Sequence, residues 1–391
     1  MKLVFVSNAL DHIQIPLCDA WHTLTEGNFT YVAVAGASAI RSNITSADIN
    51  QSRPYVLRPY ESMEQEQQAQ QVIDEADVVI LGTAPERYIY PRLKAGKLTF
   101  RYMERLYKTP FTLRNTPRRV LSALLHHSRF RRKPLHLLCA GAYAAADHAI
   151  FGNYKKKRYT WGYFPAFQPA EIQTLLEQKN AEETVELIWV GRFVALKHPE
   201  QVIELGRYLR EKGYRFRINM VGYGEEEENC KKLVEAYGLQ EQVLILGGRS
   251  PEQVRQLMSK ASVLLFTSDR GEGWGAVVNE GMNSGCAVVA SAQAGVSPYL
   301  VQDGKNGLLY DCGCLESLFE KTESLLRDKA LREKFAQAGY ETVKTLWNPE
   351  VAAGNFLKLV DSIKTGGPNP VKEGPCSNAP VLKDGWFKNN G

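Results

Sequence analysis

Short apolar runs carrying β-branched residues recur early in the chain, at 2–6, 29–35, 77–81 and 136–139. Stretches with helical spacing separate them, for example 61–75 and 142–151. Strands alternating with helices predict a parallel α/β sheet. The pattern restarts after the segment WGYFPAFQPAE at 161–171. Strands are then predicted at 185–190, 215–221, 243–246, 262–267 and 286–290, with helices near 199–211, 225–237 and 251–260. Two such series in succession predict two Rossmann-like domains, 1–165 and 166–345, with parallel sheets facing a central cleft. Beyond Tyr310 the spacing turns helical, at 314–327, 329–344 and 349–364. Nine of the last 27 residues are Gly or Pro, which predicts a disordered tail over 365–391.

Length agrees with this division: 391 residues suit two domains of about 150–200 residues each. The composition, 44% hydrophobic and 23% charged, is that of a soluble globular protein. The N-terminus, MKLVFVSNALDHIQIPL, has a short apolar run followed by polar residues, unlike a signal peptide. No run approaches the roughly 20 apolar residues of a transmembrane helix. Seven scattered cysteines with no CxxC pair suggest buried, reduced thiols in a cytoplasmic protein.

Charge changes the picture in one place. The net charge is +5, yet the segment from Arg92 to Lys133 holds thirteen Lys/Arg and one acid, Glu104. Aromatic and aliphatic residues such as Phe100, Tyr107, Phe111, Leu121 and Leu125 interleave with these cations. The combination suits an anionic membrane surface. The plainer reading is a solvated helical face with a mobile loop.

Candidate chemistry concentrates in the second half. The stretch DRGEGWGAVVNEGMNSG at 269–285 sets Glu272 among glycines and Glu280 in an apolar run. Gly271, Gly273 and Gly275 permit positive φ and close backbone approach, and a helix-like run follows. Eight residues of helix span about 12 Å, so the two carboxylates suit hydroxyls at opposite ends of one elongated ligand, such as a nucleotide sugar. The alternative is a loop with one surface glutamate and one helical glutamate. The stretch VGRFVALKHPE at 190–200 places Arg192 and Lys197 just after a strand, where two cations can clamp a diphosphate. Here the alternative is a pair of surface cations.

Together these elements resemble a GT-B glycosyltransferase of the family 4 type, the glycosyl transferases group 1. The E-x7-E pair matches Glu272 and Glu280, and the GR…K element matches Arg192 and Lys197. The segments running from VGYGEEEENCKKL to VLLFTS, and GCAVVASAQAGVSPYLVQDGKNGLLY, fit the C-terminal domain of that family. The match is strong over 185–345 and weaker before it. VSNALDHIQIPLCDAW, CAGAYAAADHAIFGNY and WGYFP look like a branch that builds bacterial surface polysaccharides.

The resemblance implies a retaining, metal-independent transferase with a nucleotide diphosphate sugar as co-substrate and no further cofactor. Arg192 and Lys197 would bind the donor diphosphate, Glu272 the transferred sugar and Glu280 the ribose. Gly273, Trp274 and Gly275 would offer amides to sugar and phosphate. Gly222 and Gly224 would lie near the nucleotide, and Arg249 with its neighbours near the base. The helix at 349–364 would complete the N-terminal domain. The acceptor would be a sugar or a polyprenyl-diphosphate-linked sugar at the inner face of the membrane.

Some positions depart from the family pattern. The first strand–helix loop reads Ser7-Asn8-Ala9-Leu10 where many members have Gly-Gly, so Asn8 becomes a donor-contact candidate and His12 a candidate for touching donor or acceptor, with a structural histidine as the alternative. Other signatures fail. Glu227 interrupts a GxGxxG, no P-loop or Asp-x-Asp occurs, and His126-His127 lacks company for a metal. Two rivals remain: a sugar-nucleotide epimerase of the same fold, and a nucleic-acid-binding protein using the basic segment.

Overall fold

The computed structural model describes residues 1–36, 49–51, 53–109, 111–179, 181, 183–382 and 385–388. The chain divides into two compact units. The first comprises Met1–Ala166 and Asn348–Leu382, the second Phe167–Trp347 and Lys383–Gly391.

Unit 1 opens with β1 (Leu3–Ser7), α1 (Ile15–Leu24), β2 (Phe29–Ala33), β3 (Val56–Leu57), α2 (Met63–Glu75) and β4 (Val78–Leu81). It continues with α3 (Tyr90–Lys94), β5 (Thr99–Met103), α4 (Thr116–His126), β6 (Leu135–Ala140), α5 (Ala144–Ala149) and β7 (Arg158–Trp161). The seven strands are all parallel, in the order β3-β2-β1-β4-β5-β6-β7. Every residue of β1, β4 and β6 is buried, as expected for strands covered on both faces.

Unit 2 follows with α6 (Ile172–Lys179), β8 (Val185–Val190), α7 (Pro199–Glu211), β9 (Phe216–Val221), α8 (Glu227–Ala236), β10 (Val243–Ile245) and α9 (Pro251–Lys260). Then come β11 (Val263–Phe266), α10 (Val277–Asn283), β12 (Ala287–Ser291), α11 (Ser297–Leu300), β13 (Leu308–Tyr310), α12 (Leu315–Arg327) and α13 (Lys329–Thr345). Its six strands are parallel in the order β10-β9-β8-β11-β12-β13. Leu187, Trp189, Val263, Leu265 and Val289 from the sheet form its core with α7 residues such as Val202 and Leu209.

The chain then returns to unit 1 as α14 (Pro349–Thr365), which starts with Asn348 capping the amide of Val351 at 2.8 Å. Phe356 of α14 packs edge-on against Trp21 of α1, with ring centroids 5.3 Å apart. Trp21 in turn stacks on Trp161 of β7 at 6.0 Å.

Two sequence expectations need correction. The tail predicted to be disordered from 365 is folded over 366–382. Cys376 is fully buried, the amide of Thr160 donates to Ser377 O at 2.8 Å, and the amide of Ala379 donates to Arg158 O at 3.0 Å. Its glycines and prolines shape a strap held by backbone bonds along β7. Residues 383, 384 and 389–391 lie outside the described residues.

The basic segment at 92–133 is not one solvated face. Its first part builds the sheet as β5, and Arg92, Arg101 and Arg105 are buried. Arg92 donates to the carbonyls of Ile73, Ala76 and Leu98, and burial pulls its guanidinium down to about 10. Arg101 pairs with Glu86 at 2.9 Å, and Arg105 faces Asp147 at 3.8 Å. The exposed cations, Lys94 and Lys97 before β5 and Lys108, Arg114 and Arg118 after it, are interspersed with these buried ones.

Candidate functional site

In a doubly wound sheet, ligands bind where the strand order reverses, at the carboxyl ends of the strands. In unit 2 that point lies between β8 and β11. The loop after β8 carries Arg192 and Lys197, and the loop after β11 carries Glu272.

The two loops are tied together. Trp189 of β8 donates its indole N–H to Thr267 Oγ1 at 2.9 Å, and that hydroxyl donates to Lys197 O at 2.5 Å. The amide of Asp269 donates to Leu196 O at 2.9 Å. These bonds bring the Lys197 ammonium onto Glu272, which forms an ion pair with it and also accepts from Ser268 Oγ at 3.2 Å. Both partners are mostly buried, each with 16% of its side chain exposed. Arg192 is exposed and has no ionic partner among the described residues. A fixed ammonium and a free guanidinium five residues apart therefore flank the switch point.

His198 follows Lys197 with φ of 47°, in the left-handed region. Its imidazole bonds Glu200 at 2.8 Å and faces Asp269 at 3.4 Å. The Glu200 hydrogen bond leads in raising its pKa.

Gly222 and Gly224 follow β9 with φ of +147° and +157°. A Cβ on Gly222 would collide with the carbonyl of Gly191, and one on Gly224 with the carbonyl of Phe193. The amide of Gly191 donates to Val221 O at 3.0 Å, and the amide of Phe193 to Tyr223 O at 2.9 Å. The glycines thus let two strand-end loops run in contact, and their visible work is to hold Arg192 in place. Tyr223 between them is half-exposed, and its ring lies 3.2 Å from where a Cβ on Gly248 would sit. Nothing in the spacing of the sequence singled out Tyr223, Thr267, Ser268 or His198, because each acts through contacts made only after folding.

The glycine loop differs from its sequence reading. Helix α10 has seven residues and begins at Val277, so Glu272 lies in the preceding loop and Glu280 in the first turn. The 12 Å helical ruler therefore does not apply. Gly275, with φ of +106°, breaks the helix, and a Cβ there would enter the ring of Phe266. The Trp274 indole is fully buried against Trp347 at 5.7 Å and donates to Asn279 at 3.0 Å. Trp274 thus anchors the loop, and only its backbone remains to meet a ligand. The amides of Gly273 and Gly275 have no acceptor among the described residues.

Glu280 keeps some exposure, and its carboxylate has no hydrogen-bond partner among the described residues. Desolvation pushes its carboxyl up to about 7, with Arg255 opposing. Arg249 stands apart from this group. Its guanidinium turns onto Gly248 O at 3.0 Å and lines a cavity of about 290 Å³ with Gln253 and Lys260.

Asn8 and His12 belong to unit 1, in the loop after β1. Asn8 Oδ1 accepts from Ser7 Oγ at 3.4 Å, and His12 is exposed. Asp11 caps this loop, accepting from the amides of Ile13 and Gln14 at 3.0 and 2.9 Å. The switch point of unit 1 lies between β1 and β4, where Ser7 Oγ accepts from the amide of Thr83 at 3.2 Å. Beside it a cavity of about 350 Å³ opens at the ends of β4 and β5, lined by Gly82, Thr83, Glu86, Arg101 and Met103. Glu86 also accepts from Tyr90 Oη at 2.9 Å and meets His126 Nδ1 at 3.0 Å. This cavity was missed in the sequence because Glu86 and Arg101 come from different elements. Among the described residues, no three His, Cys, Asp or Glu side chains gather into a metal-ligand set.

Two parallel, doubly wound sheets, one with cations and a carboxylate at its switch point, define a protein of the GT-B fold. Residues 172–342 match the family model for glycosyl transferases group 1.

The chain is 28% identical over 172 residues to the lipopolysaccharide core biosynthesis glycosyltransferase LpsE of Rhizobium meliloti (strain 1021), covering 41% of this chain and 49% of that protein. It is 32% identical over 185 residues to the putative colanic acid biosynthesis glycosyltransferase WcaL of Salmonella typhimurium (strain LT2), covering 46% and 45%. The chain thus spans about half the length of the curated relatives it matches. The fold is similar to that of Anabaena Alr3699/HepE in complex with UDP. The TM-score is 0.69 and the identity 15%, over 93% of this chain and 100% of that one.

Proposed function

We propose that the protein is a retaining glycosyltransferase that moves a sugar from a nucleotide diphosphate sugar to an acceptor hydroxyl without a metal. The observation that carries this reading is the β8/β11 switch point, where free Arg192 and the Lys197–Glu272 pair converge. Two cations there suit a diphosphate, and a carboxylate beside them suits sugar hydroxyls. The group 1 match and the UDP held by the HepE neighbour support the same assignment.

In this mechanism the donor diphosphate lies against Arg192 and Lys197, with the Gly273 and Gly275 amides toward it. Glu272 accepts from hydroxyls of the transferred sugar, and Glu280 from the ribose. As the anomeric C–O bond breaks, the electron pair stays with the leaving diphosphate, whose growing charge the two cations stabilise. A departing phosphate oxygen takes the proton of the acceptor hydroxyl, whose oxygen bonds the anomeric carbon on the same face. Unit 1 supplies the acceptor side, through Asn8, His12 and the cavity at Glu86. The acceptor is a lipid-linked sugar in surface-polysaccharide assembly. Relatives named for lipopolysaccharide core and colanic acid biosynthesis support that class.

The test is a calorimetric screen of nucleotide sugars, followed by turnover with the tightest binder. Lys197→Ala and Glu272→Ala should each lose far more activity than folding stability, read at a temperature well below their melting points. Full activity in either variant would overturn the assignment. A new sugar nucleotide formed from donor alone would mark an epimerase instead.

A further inference from the structure

Helix α4 is oriented against the usual rule for a surface helix. An amphipathic helix turns its apolar face to the core. Here Leu121, Leu124 and Leu125 are 56%, 50% and 47% exposed, while the buried side is marked by Ala123. At about 100° per residue the three leucines fall within one arc of about 100°, with Arg118 at its border. Leu113, just before the helix, is 97% exposed, and Phe111 is 39% exposed. The helix is held in this attitude. Arg119 donates to Thr109 O at 2.9 Å and lies over the rings of Tyr107 and Phe111. At the other end His126 bonds Glu86 at 3.0 Å.

The charge around this face has one sign. From Phe111 to Lys133 there are seven Lys/Arg and no Asp or Glu. Arg114, Arg118, Arg129, Arg131 and Arg132 are exposed. Leucines ringed by cations match an anionic lipid bilayer, in which leucines enter the acyl boundary and guanidiniums meet headgroup phosphates. A second copy of the chain is a poor occupant, because an isologous contact would set like charges against each other. Among the described residues no helix is long and apolar enough to cross a membrane, so the contact is a surface one.

We propose that Phe111–Lys133 docks unit 1 on an anionic membrane, with the leucine face of α4 inserted in the interface. The docking face borders the cavity at Glu86, through the His126 bond. Membrane docking is independent of the transfer reading, since it needs neither donor nor turnover.

The experiment uses the full chain without donor. Co-sedimentation is measured with phosphatidylcholine vesicles and with vesicles that also contain phosphatidylglycerol. Binding should require phosphatidylglycerol and weaken as salt rises. The variant Leu121→Ser/Leu124→Ser/Leu125→Ser should bind at least about tenfold more weakly, and Arg118→Glu/Arg132→Glu should also lose binding. Leu121→Trp should add a blue-shifted emission component on anionic vesicles, which binding by charge alone would not produce. That reading stands even if the triple variant fails to fold.

Absence of sedimentation with anionic vesicles would overturn the proposal. So would an unshifted Leu121→Trp spectrum, or a triple-serine variant that binds like the wild type. A dimer in analytical ultracentrifugation that the serine substitutions abolish would assign the face to a second copy.

Discussion

The two units share a topology and differ in what they put at its reversal point. Unit 2 sets Arg192, Lys197 and Glu272 there, whereas unit 1 sets Ser7, Asn8, Gly82 and Thr83. The cations of unit 1 are used elsewhere. Arg92 holds the carbonyls of Ile73 and Ala76, and Arg101 sits inside the sheet against Glu86 and His127. The same scaffold thus presents two cations and a carboxylate at one switch point, and hydroxyl and amide groups at the other, where the nearby charges of Arg101 and Glu86 are already paired with each other. Under the proposed function, the first suits a diphosphate and the second an uncharged sugar. Topology fixes where a ligand goes, and side chains decide which ligand.

The sharpest way to break this comparison is Lys197→Ala. It should cut kcat by about 100-fold or more, the scale for losing one charge-stabilising donor. Donor titration and a melting curve would show whether folding survives. Next in size is Gly222→Ala, whose added methyl meets the Gly191 carbonyl. It should cost about 2 kcal/mol or more in urea unfolding and weaken donor binding by displacing Arg192.

Acid should separate the units. Burial leads in holding His127 down to about 2 and His148 down to about 3, far below the ordinary histidine value. The unfolded chain therefore binds these protons first, so their stabilisation is complete above about pH 6.5 and declines as pH falls. The expected loss is roughly 2 kcal/mol for each histidine by pH 5, about 4 kcal/mol for the pair. Hydrogen exchange corrected for intrinsic rates should show β5 and β6 opening at acid pH, while β8 and β11 stay protected.

Glu280 has the opposite sign. Its carboxyl is raised to about 7, so the folded chain keeps a proton that the unfolded chain releases near 4.5. Stability from this group is complete below about 4.5 and lost as pH rises to 7. Glu280→Gln should therefore leave stability unchanged at pH 4 and raise it at pH 8, by up to roughly 3 kcal/mol, while donor affinity falls. The smallest effect is expected at Asn8→Ala, which should change donor affinity by less than about 0.5 kcal/mol. Its effect should appear in the KM for acceptor.

Much of this was legible before folding. Apolar runs marked the strands and helical spacing the helices, so Val185–Val190 and the helices Pro199–Glu211 and Pro251–Lys260 match their predicted bounds. Strand β5 was hidden because Arg101 stands in its middle. An arginine argues for solvent unless a carboxylate from another element, here Glu86, waits for it. Strand β7 was hidden because RYTW is short and polar at its start. At the candidate site, the charged residues were legible as types. Their neighbours Thr267 and Ser268 were not, because hydroxyls are common and only the fold aims them. The burial of Trp274 was equally invisible, since glycines on both sides suggest an open loop.

The strap at 366–382 has a practical meaning. Strand β7 is the last of its sheet, and the strap bonds along the side that has no neighbouring strand, through Thr160, Arg158 and the Tyr159–Asn378 bridge. A chain shortened after Gly366 would bare a row of unpaired amides and carbonyls, a template on which other molecules assemble. Such a chain should keep its donor affinity in dilute solution and yet precipitate as concentration rises, so the last stretch acts as a guard on solubility.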